Sequence, residues 1–165
     1  MELLYRLMKV RAALATIAKI VLAKGAHDMI EYAGSVEGIT EDQLQGFFVG
    51  WPNPPSPEVH IQMLQRSDKV VLAVDTTSGM VVGFITAITD GVLAAYIPFL
   101  EVLPAYQHQK IGQTLVEKML EQLSNFYMID LLCDTNLQPF YKQLGMRRAT
   151  GMFFRNHDKQ SGHLA

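Results

Sequence analysis

The order of its predicted elements places the chain in the α/β (α+β) class, with a mixed sheet flanked by helices. Two apolar, β-branched runs, KVVLAV and VVGFITAI, are joined by the turn-rich stretch DTTSGM, and this pattern predicts an antiparallel hairpin. After Gly112, apolar residues recur at helical spacing, and a strand-like run lies on either side of that helix. Strand and helix patterns therefore alternate along the second half of the chain.

Composition indicates one globular domain, residues 26–165, preceded by an extension. Of the 165 residues, 49% are hydrophobic and 18% are charged, which is enough apolar surface to form a core. The single cysteine, Cys133, has no partner for an internal disulfide, and no Cys or His cluster has zinc spacing. We therefore expect a metal-free protein of a reducing compartment, the cytoplasm.

Residues 1–25 form a basic, apolar extension. Five basic groups against Glu2 give residues 1–24 a charge of +4, so the rest of a chain whose net charge is −2 has −6. An acidic body disfavours nucleic acid and is compatible with a cationic substrate. The longest uncharged run, residues 12–18, is too short to span a bilayer. We predict an extra helix that packs on the domain or on a second subunit of a homodimer; an interfacial membrane helix or a disordered extension is the alternative.

The stretch between the extension and the hairpin predicts one strand and two helices. DMIEYAG is a short strand, and TEDQLQGFFVGW is a helix with Thr40 as its N-cap. The proline-rich WPNPPSPE predicts a stiff extended loop, and a second helix begins at residues 56–58.

The second half of the chain predicts three further strands besides the helix after Gly112. VLAAYIPFLEVL is a strand that Pro98 leaves open or bulged on one side. YMIDLLC predicts a buried strand, and RRATGMFFR predicts the last strand. NLQPFYKQLG predicts a short helix that Asn136 caps and Gly145 ends.

The polar loop YQHQKIGQ, residues 106–113, leads directly into the helix after Gly112. A helix begins with about four unpaired N–H groups and a partial positive charge, so the segment before it is a potential anion site. Gly112 would let the backbone approach a ligand closely. Taken alone, one glycine at a helix start is more typical of an ordinary turn.

In its context this loop resembles motif A of the GNAT superfamily of N-acetyltransferases. The motif is a strand, the pattern Gln/Arg-x-x-Gly-x-Gly/Ala and an amphipathic helix; here Gln107, Lys110 and Gly112 occupy the positions of the pattern, and Lys110 replaces its middle glycine. Downstream, PFYKQLGM matches the family's Phe-Tyr-x-x-x-Gly-Phe helix, with Met146 in the last aromatic position. The resemblance covers about residues 28–155.

The resemblance implies a GNAT-like splayed sheet of about six to seven strands, with acetyl-coenzyme A (acetyl-CoA) between two parallel strands that part. The diphosphate would meet the backbone of residues 107–113, and the pantetheine arm would pair with the strand near residues 102–103. The coenzyme-binding residues expected on this basis are Val102, Leu103, Gln107, His108, Gln109, Lys110, Ile111, Gly112, Gln113, Asn136 and Tyr141.

Two residues are candidates for catalysis. An ordinary amine is protonated at pH 7 and reacts only when neutral, so a base is useful, and Glu101 is the one carboxylate of the strand that faces the expected reaction centre. A water relay is the alternative, with Glu101 pointing to solvent. The family places a donor for the departing thiolate at the tyrosine of the second motif, here Tyr141; a buried core tyrosine is the alternative.

The sequence thus predicts an acetyl-CoA-dependent N-acetyltransferase that acts by direct transfer, in a ternary complex, on a primary amine of a small molecule or peptide. A non-catalytic acyl-CoA-binding or interaction module with the same fold is the alternative, which Lys110 in a glycine position favours slightly. A peptide-binding or dimerisation domain without a coenzyme is a third. Trp51 and the proline-rich loop fall where the family admits its acceptor, and a surface turn that covers the sheet is the alternative; no motif identifies the acceptor.

Overall fold

The sheet at the centre of the fold has five strands in chain order, β1-β2-β3-β4-β5. The structure, a computed structural model, describes residues 29–162. Neighbouring strands are antiparallel except β4 and β5, which are parallel because a helix crosses over between them. The strands are β1 (Ile30–Ala33), β2 (Lys69–Asp75), β3 (Val81–Thr89), β4 (Ala94–Val102) and β5 (Met128–Leu131).

Three α-helices are found among the described residues: α1 (Pro57–Arg66), α2 (Ile111–Gln122) and α3 (Gln138–Gln143). Helix α1 begins as predicted, because the Ser56 hydroxyl accepts the N–H of Val59 at 3.4 Å and Pro57 occupies the first helical turn. Helix α3 ends before Gly145, whose φ of +88° lies in the left-handed region that glycine favours. The hairpin, the short first strand and these three helices confirm the mixed α/β prediction.

Each face of the sheet has its own apolar core. On one face, α2 buries Leu115 and Met119 against β3 and β4. Gly83 allows this close packing, since a Cβ there would lie 3.1 Å from a methyl group of Leu115. On the other face, α1 and the segment before it pack around Phe84, which is fully buried. We call this second side the α1 face.

Strand β4 contains the bulge that Pro98 predicted. Two steps of β3, from Thr86 to Ile88, lie opposite three steps of β4, from Phe99 to Tyr96, so β4 has one extra residue at Ile97 and Pro98. Pro98 has no N–H to donate to a neighbouring strand, so it is tolerated where the pairing with β3 is interrupted. Because of the extra residue, Tyr96 and Phe99 lie on the same face of the sheet.

The two parallel strands part just after this bulge. Strand β5 pairs with β4 only over residues 94–97, through Met128–Leu131. Residues 98–102 of β4 continue beyond β5, and no strand within residues 29–162 pairs with that edge. The sheet is therefore open beside the second half of β4, and this opening positions the candidate site.

The prediction of a helix that begins after Thr40 is wrong. Only a 3-10 turn forms there, Glu41–Gln43, closed by a hydrogen bond from the Thr40 N–H to the Gln43 side-chain oxygen at 3.0 Å. Gly46, Phe48 and Gly50 have φ values of +82°, +60° and +81°, which no right-handed helix accommodates. The apolar residues were recognised correctly as core, since Leu44 and Phe47 are buried, but a loop delivers them.

The prediction of six to seven strands is also wrong for the described residues. The segment RRATGMFFR has no regular structure, and its Met152, Phe153 and Phe154 are largely exposed. Strand β5 is consequently an edge strand rather than a buried one, and Met128 is 42% exposed. A short apolar run predicts a strand only where a neighbouring strand or helix covers it.

Two further predictions concern the ends of the chain and of α3. Asn136 does not cap α3, because a 3-10 turn, Thr135–Leu137, merges directly into the helix and Leu137 takes the cap position with a helical backbone. The predicted extension, residues 1–25, lies outside the described residues. None of the helices between residues 29 and 162 is long and apolar enough to cross a membrane.

Candidate functional site

The predicted anion loop lies at the entrance to α2, beside the open edge of β4. A 3-10 turn, Pro104–Tyr106, follows β4, and α2 begins at Ile111. The first hydrogen bond of the helix joins the Thr114 N–H to the Lys110 carbonyl at 3.0 Å. The N–H groups of residues 111–113 therefore have no acceptor within residues 29–162. Three converging donors and the positive end of the helix can bind an anion.

Two residues of this loop have left-handed backbones. His108 has a φ of +61° and Lys110, the N-cap of α2, a φ of +64°. A left-handed residue other than glycine costs about 1–2 kcal/mol, which explains why the family pattern has glycine in the position of Lys110. The lysine nevertheless adopts the backbone conformation that a glycine would have there. Backbone strain of this kind is typical of binding sites.

Hydrogen bonds fix the loop to the sheet. The Tyr106 hydroxyl donates to Asp75 at 2.7 Å, which lowers the pKa of the Asp75 carboxyl and raises the pKa of the Tyr106 phenol. The Gln107 amide donates to the Val102 carbonyl at 3.0 Å, and the Gln109 amide to a carbonyl of the preceding turn. The loop is thus held by its own side chains, and the N–H groups of residues 111–113 have no partner within residues 29–162.

The side chains expected to bind coenzyme have unequal surroundings. Ile111 is buried in the α2 core, so only its N–H faces the loop. Gln113 donates to Glu117 one turn along α2 at 2.8 Å. His108 and Lys110 are exposed, and Asn136 is exposed in the turn before α3. What the loop offers a ligand is therefore mainly backbone.

Gly112 faces the gap between β4 and α3. A Cβ on Gly112 would lie 3.7 Å from Val102 and 3.9 Å from Phe140, so it would fit but would occupy that gap. Val102 and Leu103, the residues expected to meet the pantetheine arm, are half-buried where β4 ends. The opening of the sheet, the glycine and the free N–H groups thus lie together.

Tyr141 lies in α3 and packs on the α2 core, next to Phe140 at 4.9 Å between ring centroids. Burial, and then the nearby Cys133, raise the pKa of the Tyr141 phenol to about 12. Burial and Asp134 raise the pKa of the Cys133 thiol, which therefore stays protonated and is a poor nucleophile. The Tyr141 hydroxyl has no hydrogen-bond partner within residues 29–162, so it remains able to donate to a ligand.

Glu101 lies on the α1 face, directly opposite Phe84. Its two carboxylate oxygens accept the N–H groups of Phe48 at 2.8 Å and Val49 at 3.1 Å. No local sequence pattern indicates this interaction, because the partners lie more than fifty positions apart, in a loop for which the sequence predicts a helix. Each oxygen retains a lone pair, so the carboxylate can still accept a proton or a further donor.

The loop that Glu101 holds belongs to an aromatic cluster on the α1 face. The Phe48 ring lies 5.2 Å from Trp51 and 6.2 Å from Phe99, and 4.9 Å from the ring of His60. Sequence reasoning missed His60, which is 1% exposed and whose two ring nitrogens have no hydrogen-bond partner within residues 29–162. Burial lowers the pKa of His60 to about 4, so the ring is neutral at pH 7. Its position on the buried side of α1, one residue before Ile61, was the available signal.

The fold and the site together define an acetyltransferase of the mixed α/β kind, and the chain belongs to the acetyltransferase (GNAT) family, whose model matches residues 36–146. This match confirms the resemblance deduced from the two motifs. Within residues 29–162, no group of three or more His, Cys, Asp or Glu side chains is arranged to hold a metal ion.

Individual relatives agree with the family. The chain is 29% identical over 115 residues to GCN5-related N-acetyltransferase 1, chloroplastic, of Arabidopsis thaliana. The matched region covers 67% of this chain but only 58% of that protein. A proposed acetyltransferase from Deinococcus radiodurans R1 has 44% identity and a TM-score of 0.80, over 83% of this chain and 95% of the other. A GNAT family protein of Streptococcus pneumoniae TIGR4 has 29% identity and a TM-score of 0.63, over 78% and 98%.

Proposed function

We propose that the protein transfers the acetyl group of acetyl-CoA to the primary amine of a small molecule or peptide, directly and within a ternary complex. The observation that supports this most is the set of three partnerless N–H groups at the start of α2, next to the open edge of β4. Family membership supports acetyl transfer in general. The coenzyme, the amine and the direct route are our proposal.

The residues of the opening fit the coenzyme in two respects. The N–H groups of residues 111–113 would hold a diphosphate, and the absence of a Cβ at Gly112 leaves room for it to approach the backbone. Beyond the bulge, the free edge of β4 can pair with an amide-rich arm as it would with another strand. Acetyl-CoA, when bound, supplies the acetyl group as a thioester.

Glu101 is the proposed base. A lysine-type amine with a pKa of about 10.4 is neutral in about one molecule in 2,500 at pH 7, which costs about 4.6 kcal/mol. In the transfer, a bond forms from the amine nitrogen to the acetyl carbon, the carbon–sulfur bond breaks, and one amine proton leaves for Glu101, directly or through a water. The two N–H groups that hold Glu101 also fix where its free lone pairs point.

Tyr141 is the proposed donor to the departing sulfur. A phenol with a pKa of about 12 is a much weaker acid than a thiol with a pKa of about 8.5, so a hydrogen bond to the sulfur is favoured over full proton transfer. We expect Tyr141→Phe to lower kcat about 100-fold while the affinity for coenzyme A stays within twofold. Equal losses in turnover and affinity would reject the donor role.

Two measurements test the proposal as a whole. Calorimetry of the full chain with coenzyme A should detect binding, and a thiol-release assay with a panel of amines should exceed background hydrolysis. Folded protein that takes up no coenzyme A would reject the proposal. Binding without thiol release would favour the alternative, a non-catalytic acyl-CoA-binding module; the backbone of Lys110 gives that alternative little support, since it has the conformation of the glycine it replaces.

The remaining expectations are part of the same proposal. The cytoplasmic location and the lack of a nucleic-acid partner are expected from composition and charge, and the homodimer is expected from the apolar extension of residues 1–25.

A further inference from the structure

The loop beside Glu101 holds a strained residue in place. Phe48 has a φ of +60°, which is costly for a bulky side chain, and its N–H is the group that Glu101 accepts at 2.8 Å. The Phe48 ring is buried in the core around Phe84. Strain that the surrounding structure maintains in this way is typical of binding sites. The carboxylate thus fixes the position of residues 48–51.

The consequence of this anchoring is an aromatic wall next to the carboxylate. Trp51 is 39% exposed and its ring lies 6.5 Å from that of Phe99, which is only partly buried. Phe99 is two residues before Glu101 in the same strand, so both side chains project from the α1 face. A ligand in contact with this wall would meet two ring surfaces and one carboxylate.

The same face continues as an apolar cleft along β4. Because of the bulge, Tyr96 shares the face of Phe99, and a cleft of about 310 Å³ between β3 and β5 is lined by Ile88, Tyr96 and Asp130, among others. Ile88 is 49% exposed there. The Tyr96 ring and aliphatic side chains form its apolar surface, and the charged groups that line it, Asp90 and Asp130, are negative.

We propose that the acceptor of the transfer is a primary amine on a flat apolar body, such as an arylalkylamine, which binds with its ring against Trp51 and Phe99 and its ammonium near Glu101. This inference rests on the proposed transferase function and names its substrate class. The faces of Trp and Phe attract a cation and bury an apolar ring. An acceptor with its own carboxylate would be repelled by Glu101, and a polyhydroxylated body would leave hydroxyl groups unpaired against the wall.

The test compares four amines in the thiol-release assay with the full chain. The amines are 2-phenylethylamine, phenylalanine, glucosamine and spermidine; phenylalanine has the same ring as the first but adds a carboxylate. We expect kcat/KM for 2-phenylethylamine to exceed each of the others at least tenfold. Phe99→Leu and Trp51→Leu should reduce that advantage at least fivefold, whereas Tyr127→Ala, which truncates an exposed ring before β5, should leave it unchanged.

A second readout does not depend on turnover. Trp51 is the only tryptophan of the chain, so its fluorescence reports on this wall directly. We expect 2-phenylethylamine to change the emission at concentrations where phenylalanine and glucosamine do not, and Phe99→Leu to weaken the response. A response without thiol release from any amine would reject the transferase function and leave the binding preference standing.

Two results would overturn the inference. One is turnover in which spermidine, glucosamine or phenylalanine is used as well as 2-phenylethylamine. The other is the absence of any fluorescence response to 2-phenylethylamine in protein that binds coenzyme A, since the coenzyme site would then be intact while the aromatic wall is not used.

Discussion

The two loops that border the candidate site both hold non-glycine residues in the left-handed conformation, but different interactions stabilise them. On the coenzyme side, Lys110 is exposed and its carbonyl accepts the first hydrogen bond of α2. On the acceptor side, Phe48 is buried among aromatic rings, and Glu101 accepts its N–H. The loop of residues 106–113, where we propose that the coenzyme binds, therefore offers main-chain groups to a ligand. The loop of residues 48–51, where we propose that the acceptor binds, offers aromatic rings, with the Glu101 carboxylate beside them.

This difference explains why the two sides differ in how readily their function can be deduced. A site made of N–H groups needs a backbone shape, and Lys110 can provide that shape at a cost of about 1–2 kcal/mol. A site made of side chains depends on which residues meet in space. Phe48, Phe99 and Glu101 come from separate parts of the chain, and no local spacing shows that they meet.

The largest expected effect is a loss of folding stability in acid, caused by protonation of the buried His60 on the α1 face. His60 has a pKa of about 4 in the folded protein, below the value of 6.5 for a free histidine, so the unfolded chain binds the proton first. Stability is therefore full above pH 6.5 and falls as the pH drops towards 4, by about 3 kcal/mol in all. Urea unfolding between pH 7.5 and 4 measures this loss.

His60→Phe provides the comparison, because its ring suits the aromatic surroundings and does not titrate. We expect this variant to lose the His60 part of the pH dependence, while His157→Gln, at an exposed histidine, keeps it. If wild type and His60→Phe lost stability in parallel between pH 6.5 and 4, His60 would not be the group responsible.

The next largest effect is expected for Glu101, which holds the loop of residues 48–51 and is also the proposed proton acceptor. Glutamine has an NH2 group in place of one oxygen, so Glu101→Gln cannot accept both loop N–H groups. We expect kcat/KM to fall about 100-fold, equivalent to about 2.7 kcal/mol. Steady-state kinetics from pH 6 to 9 measure this loss.

Glu121→Gln, an exposed change on α2, is the matched control and should have the wild-type rate. A Glu101→Gln variant that keeps the wild-type kcat from pH 6 to 9 and differs only by a higher KM for the amine would show that the carboxylate positions the loop and that a water relay provides the base.

The same division, between local backbone signals and side chains that meet only in the folded protein, determines how much of the fold and site could be predicted from the sequence. The hairpin, α1, α2 and the bulge at Pro98 were predicted correctly, because turn residues, caps and periodicity are local signals. The segment after Thr40 was not, because three left-handed residues, Phe48 among them, override its helical pattern. RRATGMFFR was not either, since a strand needs a partner that its own sequence does not reveal. In the candidate site, the unpaired N–H groups at the start of α2 were predicted, whereas the hydrogen bonds from Phe48 and Val49 to Glu101 were not.

A smaller effect tests the backbone character of the coenzyme side. Gly112→Ala should raise helix stability by up to about 1 kcal/mol, because the Cβ makes only ordinary contacts with Val102 and Phe140. The same Cβ occupies the gap between β4 and α3, so we expect the Kd for coenzyme A to rise about tenfold, or about 1.4 kcal/mol. Gly34→Ala, distant from the loop, should leave the Kd unchanged. Tight binding by a stable Gly112→Ala variant would mean that no ligand approaches the backbone there.

The smallest effect separates the backbone of Lys110 from its charge. Lys110→Gly removes the strain of a φ of +64°, and Lys110→Ala keeps the strain but removes the ammonium. We expect the glycine variant to be about 1 kcal/mol more stable than the alanine variant in urea unfolding, since relief of the left-handed strain exceeds the entropy that glycine adds to the unfolded chain. Wild type and alanine should have similar stability. By calorimetry, the affinity for coenzyme A should fall few-fold, and equally, in both variants if the ammonium contacts phosphate, because the N–H groups of α2 are unchanged.

An alanine variant that binds coenzyme A normally, together with a glycine variant that does not, would mean that the rigidity of residue 110, rather than its charge, supports coenzyme binding.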